Sequence, residues 1–298
     1  MLEVRIPSVF TRETMYLLLE AVIDRDLHPK DNEIKFKFRG LNFIEPAGVT
    51  ILSNIFEWLR KRGVKVILNY PREVSNDKKN PLKYLDDSMF FMRYMKRTLT
   101  DSAEIRETTI PLELIAYSDS YQWLDRDFIP WLSRQLNVTK QSLADIKMCF
   151  GEIFNNTEDH AQENIGCIFA QHYPKSCEVK IAVSDFGIGI PNNIRKIDPF
   201  LKDDSALERA IQEGITSRTS PRNLGAGLHT LIKNVVGDIR GSVHIHSNYG
   251  ILNCTYGNNG IKTESAMKNS FYPGTFIEFV LRTDNIPNID DDEEEFDW

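Results

Sequence analysis

Between residues 33 and 70 the apolar side chains change their period twice, and few folds accommodate that change. EIKFKFRGL (33–41) alternates apolar and charged residues, as a half-buried strand does. A turn, NFIEPAG, follows. In VTILSNIFEWLRKRG, Ile51, Leu52, Ile55, Phe56 and Leu59 then recur at helical spacing. Arg60, Lys61 and Arg62 followed by Gly63 make a good helix stop. VKVILNY (64–70) is again strand-like, and Pro71 ends it. Strand, turn, one amphipathic helix and strand form a βαβ-like unit, the usual way to lay two parallel strands side by side.

Beyond this unit the chain is polar and charged from 71 to 110, except for MFFMRYM (89–95), which suits core or interface, with core favoured. A domain boundary is placed near 105–115. Residues 120–137 read as a helix broken near Pro130. A second helix is expected from about 140 to 161, with Ser142 and Asp145 resembling a capping pair. CEVKIAVSDFG (177–187), GSVHIHS (241–247) and TFIEFVLR (275–282) read as strands. The fold class expected is α/β (α+β): a small N-terminal α/β domain over 1–110, an α/β sandwich with a mixed sheet over 111–284, and an acidic disordered tail over 285–298.

Charge bears on partners. The net charge is −7, but Asp290 to Glu295 and Asp297 supply seven acidic groups, leaving a body with 36 acidic and 36 basic residues. A neutral body lacks the basic footprint of a nucleic-acid binder. No run of 18 or more apolar residues occurs, so no membrane span is expected. The first residues carry acidic groups and no long apolar run, so no signal peptide is expected either. Cys149, Cys167, Cys177 and Cys254 form no CxxC pair. Free thiols and a cytoplasmic location are the simplest account.

Three segments carry candidate chemistry. In GEIFNNTEDHA (151–161), Glu152, Asn156 and Asp159 share one helical face, while Cys149, Phe150, Ile153 and Phe154 suit a core. An amide oxygen there can ligate Mg²⁺, and a carboxylate can activate a nucleophile near a phosphate. In VSDFGIGIP (183–191), Asp185 ends an apolar strand, and Gly187 and Gly189 let the backbone turn sharply and approach a ligand. A carboxylate at that point can accept a hydrogen bond from an adenine amino group. In TSRTSPRNLGAGLHTLIKNVV (216–236), Gly225, Ala226, Gly227 and Leu228 open an apolar helix whose Leu228, Leu231, Ile232 and Val235 share one side.

Together and in this order, these segments resemble the GHKL (Bergerat-fold) ATPases, a superfamily that includes gyrase, heat-shock chaperone ATPases and sensor histidine kinases. Glu152 and Asn156 match its E-x-x-x-N box; Asp185, Gly187 and Gly189 match its D-x-G-x-G box. Gly225, Gly227 and Leu228 match G-x-G-L, and Gly274 with Thr275 matches a late Gly-Thr. The resemblance covers roughly 120–283 and implies cofactors ATP and Mg²⁺. By it, Asn156 holds Mg²⁺, Asp185 reads adenine, Thr275 supports the adenine side, Gly225 to Leu228 bind phosphate, and Glu152 is the general base where hydrolysis occurs. Asp159 and Ser217 complete the implied nucleotide-binding set.

His160 and the segment AIQEGITSRTSP are similar to the box ending and lid of bacterial anti-sigma serine kinases, so a lid is expected over 203–224. The 33–70 unit resembles the STAS fold of anti-sigma-factor antagonists, but its turn Glu45-Pro46-Ala47-Gly48 carries no hydroxyl for a phospho-switch. His244 and His246 alternate on one strand face, where structural histidines outrank a metal site. The expected function is an Mg–ATP-binding regulatory protein: an ATPase or a serine/threonine-kinase-like switch acting on a protein partner such as a sigma or anti-sigma regulator. An ATP-gated dimerising clamp and a non-catalytic nucleotide sensor are the alternatives, and a homodimer stays open.

Overall fold

The computed structural model describes residues 1–115, 117–148, 150–151, 166–214 and 227–286. Three parallel strands, β1 (Leu2–Arg5), β3 (Glu33–Lys37) and β5 (Lys65–Asn69), form one sheet in the order β1-β3-β5. A parallel two-stranded pair, β2 (Val9–Phe10) with β4 (Phe43–Ile44), lies apart from it. Helix α1 (Met15–Val22) joins β2 to β3, and α2 (Pro46–Lys61) joins β4 to β5. The switch of apolar period along 33–70 therefore corresponds to a strand–helix–strand crossover between parallel neighbours. Gly48 in the first turn of α2 is fixed by space, since a Cβ there would lie 2.6 Å from the Phe10 carbonyl oxygen. The MFFMRYM cluster is core at its centre: Phe90 and Phe91 are fully buried, while Met92 is exposed.

A second sheet has the order β6-β7-β8-β10-β9, with β6 (Thr109–Ile115), β7 (Gly166–Tyr173), β8 (Glu178–Asp185), β9 (Ser242–Gly257) and β10 (Gly260–Arg282). Every pairing in it is antiparallel, where a mixed sheet was expected. The reason lies in the connections. Two of its four neighbouring pairs, β7–β8 and β9–β10, are joined by short turns; β6 meets β7 only after a helical crossover, and β10 returns beside β8 in the opposite sense. The two short strands expected at 241–247 and 275–282 are the buried ends of one long hairpin that turns at Asn258–Asn259.

Helices cover one face of this sheet. The helix expected over 120–137 is three pieces: an α-helix Tyr117–Trp123, a π-helical turn Leu124–Phe128 and an α-helix Ile129–Leu136 that has Pro130 in its first turn. Residues 144–148 are helical, and Phe150 packs on Phe128 and Phe279 with ring centroids 4.9 and 5.3 Å apart. The turn before this helix is tied by Thr139, whose hydroxyl oxygen accepts from the Ser142 amide.

The opposite face of the sheet is covered by the N-terminal unit. Helix α2 is buried along Pro46–Leu59, because one side of it meets the parallel sheet and the other meets β7 and β8. One core cluster accordingly runs from Phe36 and Phe56 through to Phe169, Ala182 and Phe276 of the antiparallel sheet. Several polar groups at this junction find partners across it. Thr50 donates to the Ala182 carbonyl, and Lys180 pairs with Glu45 at 3.2 Å. Arg12 pairs with Glu278 at 2.6 Å. His246, fully buried, bonds the Tyr16 hydroxyl through Nδ1 (2.7 Å) and the Asn248 carbonyl through Nε2 (3.0 Å). Burial pushes the imidazoles of His244 and His246 down to about 4, so both stay neutral near pH 7.

Candidate functional site

Strand alternation decides which face each candidate residue occupies. Along β8, Val179, Ile181 and Val183 point into the helix-covered core, whereas Ala182 belongs to the core shared with the N-terminal unit. Asp185 is the next residue in the first series, so it stands on the helix-covered face at the end of its strand. Thr275 follows the same rule with Ile277 and Phe279 on β10. The two are direct register partners, Thr275 opposite Asp185, with Gly166 of β7 on the other side.

After Asp185 the chain leaves the sheet in a turn that glycine makes possible. The Gly187 amide donates to Asp185 Oδ1 at 2.8 Å, which fixes the carboxylate against its own turn. Burial raises the Asp185 carboxyl from its ordinary 3.8 to about 6, against the opposing pull of the Gly187 and Thr275 amides. Gly189 has φ +81°, and a Cβ there would lie 2.8 Å from both Ser247 Oγ and Asn248 Oδ1. Gly274 has φ +116°, and a Cβ there would lie 2.4 Å from the Asp185 carbonyl oxygen and 2.6 Å from the Gly187 nitrogen. Backbone therefore packs directly on backbone at the point where the turn crosses the late strand.

One residue that sequence reasoning missed binds these parts together. The buried Ser247 hydroxyl donates to the Gly274 carbonyl (2.6 Å), accepts from the Ile190 amide (3.0 Å) and lies 3.1 Å from Thr275 Oγ1. It sits on β9 next to His246, and a serine in an alternating strand gives no hint of this role. The signal that could have found it is the pairing of β9 with β10, which places Ser247 opposite Thr275.

The third segment contributes its described end. Gly227 opens the helix Gly227–Ile232, which continues as a π-helical stretch, Lys233–Asp238. Leu231, Ile232 and Val235 are buried and Leu228 packs against the same core as Val183 and Ile277, as the helical spacing of these residues implied. The helix of 144–148 lies on this face too, with Ile146 and Phe150 buried beneath it.

Glu152, Asn156, Asp159, His160, Ser217, Gly225 and Ala226 lie outside the described residues. Asp185, Gly187, Gly189 and Thr275 are brought together; Gly227 and Leu228 sit on the same face of the sheet.

The expected lid is corrected at its start. Residues Asp203–Ala210 form a helix fixed to β9. The Tyr249 amide donates to Asp203 Oδ2 at 2.9 Å, Arg195 holds Oδ1, and Ala206 and Leu207 are fully buried. An acid at a helix start suits the dipole, and here it also anchors the element.

Among the described residues no group of three or more His, Cys, Asp or Glu side chains could hold a metal ion, and no helix is long and apolar enough to cross a membrane. No protein-family model matches this chain, and neither does any curated protein or solved structure.

Proposed function

We propose that this chain binds Mg–ATP on the helix-covered face of its antiparallel sheet and uses it as a regulatory switch or ATPase of the GHKL type. The observation that carries this reading is the Asp185 carboxylate. It stands at a strand end, oriented by the Gly187 amide through Oδ1, beside a backbone crossing where two glycines of positive φ exclude side chains. A fixed, partly desolvated acceptor next to bare backbone suits an adenine amino group and the flat edge of a base. With its proton affinity raised to about 6, the group is ionised near pH 7 and able to accept.

The chemistry of the donor set is compatible with the rest of the ligand. Asp185 and Thr275 would hold the base, and the Gly225–Leu228 segment would bind phosphate by its amides. Asn156 would supply an oxygen to Mg²⁺, a cation that keeps most of its shell as water and phosphate and needs few protein ligands. The bound metal would neutralise phosphate charge. Glu152 would orient water or a protein hydroxyl toward the terminal phosphate.

Isothermal calorimetry with Mg–ATP tests the reading directly. Binding is expected for the intact chain, and Asp185→Asn is expected to weaken it at least about tenfold by replacing a carboxylate acceptor with a mixed donor and acceptor. Equal affinity in the two proteins, or no binding by the intact chain, removes the reading. Separation of the labelled product then distinguishes free phosphate, lost in Glu152→Ala, from phosphate transferred to a protein serine or threonine.

A further inference from the structure

We propose that α2 of the N-terminal unit supports this site from behind the sheet, with Asn54 and Trp58 as positioning residues for the Asp185–Gly189 turn. The proposal rests on the nucleotide-binding reading and adds the means by which that site is set. Alternation along β8 and its exit turn places Asp185 on one face and its neighbours Ser184 and Phe186 on the other, where α2 lies. Both neighbours are gripped from there. The Asn54 amide donates to Ser184 Oγ at 2.9 Å, and Ser184 in turn bonds the Tyr272 hydroxyl. The Cys167 thiol donates to Asn54 Oδ1 at 3.6 Å, which fixes the carboxamide from its other end. One turn further along α2, Trp58 meets Phe186 edge-on, with ring centroids 6.1 Å apart and planes at 73°. Phe186 meets Tyr272 in the same way at 5.7 Å and 80°. Arg62 closes the stack, its guanidinium carbon 4.2 Å above the Trp58 ring.

Asn54, Ser184 and Tyr272 are all fully buried, so this chain of neutral hydrogen bonds has no water to substitute for a missing member. Phe186 is the second residue of the D-x-G-x-G box, and the Gly274 backbone presses on its Cα from the far side. A residue clamped between α2 and β10 leaves the adjacent carboxylate little freedom. A shift of α2 along the sheet therefore moves Ser184 and Phe186, and with them Asp185. The N-terminal unit thus sets nucleotide affinity without touching the nucleotide.

The test compares Asn54→Leu and Trp58→Leu with Phe91→Leu, which alters the same core at Phe38, Tyr70 and Phe90, away from the turn. Asn54→Ser and Trp58→Phe serve as milder versions should the first pair fail to fold. Two readouts are taken on the full chain: amide hydrogen exchange of the 184–190 segment without ligand, and calorimetric affinity for Mg–ATP. The Asn54 and Trp58 variants are expected to speed exchange in that segment and to weaken ATP about tenfold, with Trp58→Phe recovering most of both. Phe91→Leu is expected to lower the melting temperature and leave both readouts near those of the intact chain. Unchanged exchange in the Asn54 and Trp58 variants, or equal changes in Phe91→Leu, overturns the proposal. Should the intact chain bind no ATP, the nucleotide reading falls alone, because the exchange comparison still decides whether α2 positions the turn.

Discussion

If Asp185 reads adenine as proposed, it carries two opposite dependences on pH, and they follow from one cause. Burial at the end of β8 raises its carboxyl from 3.8 to about 6. The folded chain therefore holds this proton more tightly than the unfolded chain does. The stabilisation that this group gives the fold is fully present below 3.8 and is lost as pH rises through about 6. On the nucleotide-binding reading proposed above, binding would have the reverse sign, since the carboxylate is the form that would accept from an adenine amino group. ATP affinity is thus expected to rise from acid pH to a plateau above about 6, falling by up to about tenfold per pH unit below it. Calorimetry across this range in Asp185→Asn should show weak binding and a flat profile. A wild-type affinity that is level from pH ~5 to ~7.5 would show that no ionising carboxylate reads the base. His244 and His246, although their proton affinities are lowered, stay neutral across the upper part of that window and do not blur it.

At the scale of elements, the crossing of the D-x-G-x-G turn over the β9–β10 pair leaves no room for a side chain. Gly274→Ala would place a methyl 2.4 Å from the Asp185 carbonyl oxygen at φ +116°, so strand and turn must separate. A loss of more than about 2 kcal/mol in urea unfolding is expected, together with loss of ATP binding. Ser247→Ala removes no backbone space but leaves the Ile190 amide and the Gly274 carbonyl without their partner, at a cost of about 1–3 kcal/mol. If Gly274→Ala is as stable as the parent chain, the close packing of backbone on backbone here is wrong.

The same elements show what could be read from residues alone. The end of β8 at Asp185 was legible because an apolar strand running into two glycines marks an exit turn, and the Leu228 stripe because a helix displays its period. β6 and β7 were not legible. TIPLELI is interrupted by Pro111 and Glu113 and bulges between Ile110 and Glu113, and GCIFAQHY opens as a nearly continuous apolar run buried on both faces, so neither shows the alternation that marks a strand. The length of the β9–β10 hairpin was hidden for the opposite reason: its outer part, from Gly260 to Asn269, is mostly exposed and polar.

At the scale of the molecule, helix α2 is where sequence reading met its limit, and the consequence can be tested. Its apolar stripe, Ile51, Leu52, Ile55, Phe56 and Leu59, marks one buried face, and its other side carries Thr50, Ser53, Asn54 and Glu57. In the fold these residues are buried as well, and each of the first three finds a partner across the junction or in the same core. A solvent face is normally written with Lys, Glu and Arg. Small neutral polar residues in three successive places are the mark of a second interface, visible only once a second sheet is known to lie there. The two units are therefore not independent bodies joined by a linker. A fragment spanning residues 105–286 would bare Leu112, Phe169, Ala182, Phe276 and Tyr272, each contributing roughly 1.5–3 kcal/mol when fully buried, except the smaller alanine. It would also leave Ser184 without Asn54, and Lys180 and Glu278 without Glu45 and Arg12. Such a fragment is expected to aggregate or to bind an apolar dye, melting well below the full chain, and co-expression with residues 1–104 should restore a soluble pair. A fragment that stays monomeric, and melts where the parent chain does, would mean that the N-terminal unit rests on the sheet without supporting it.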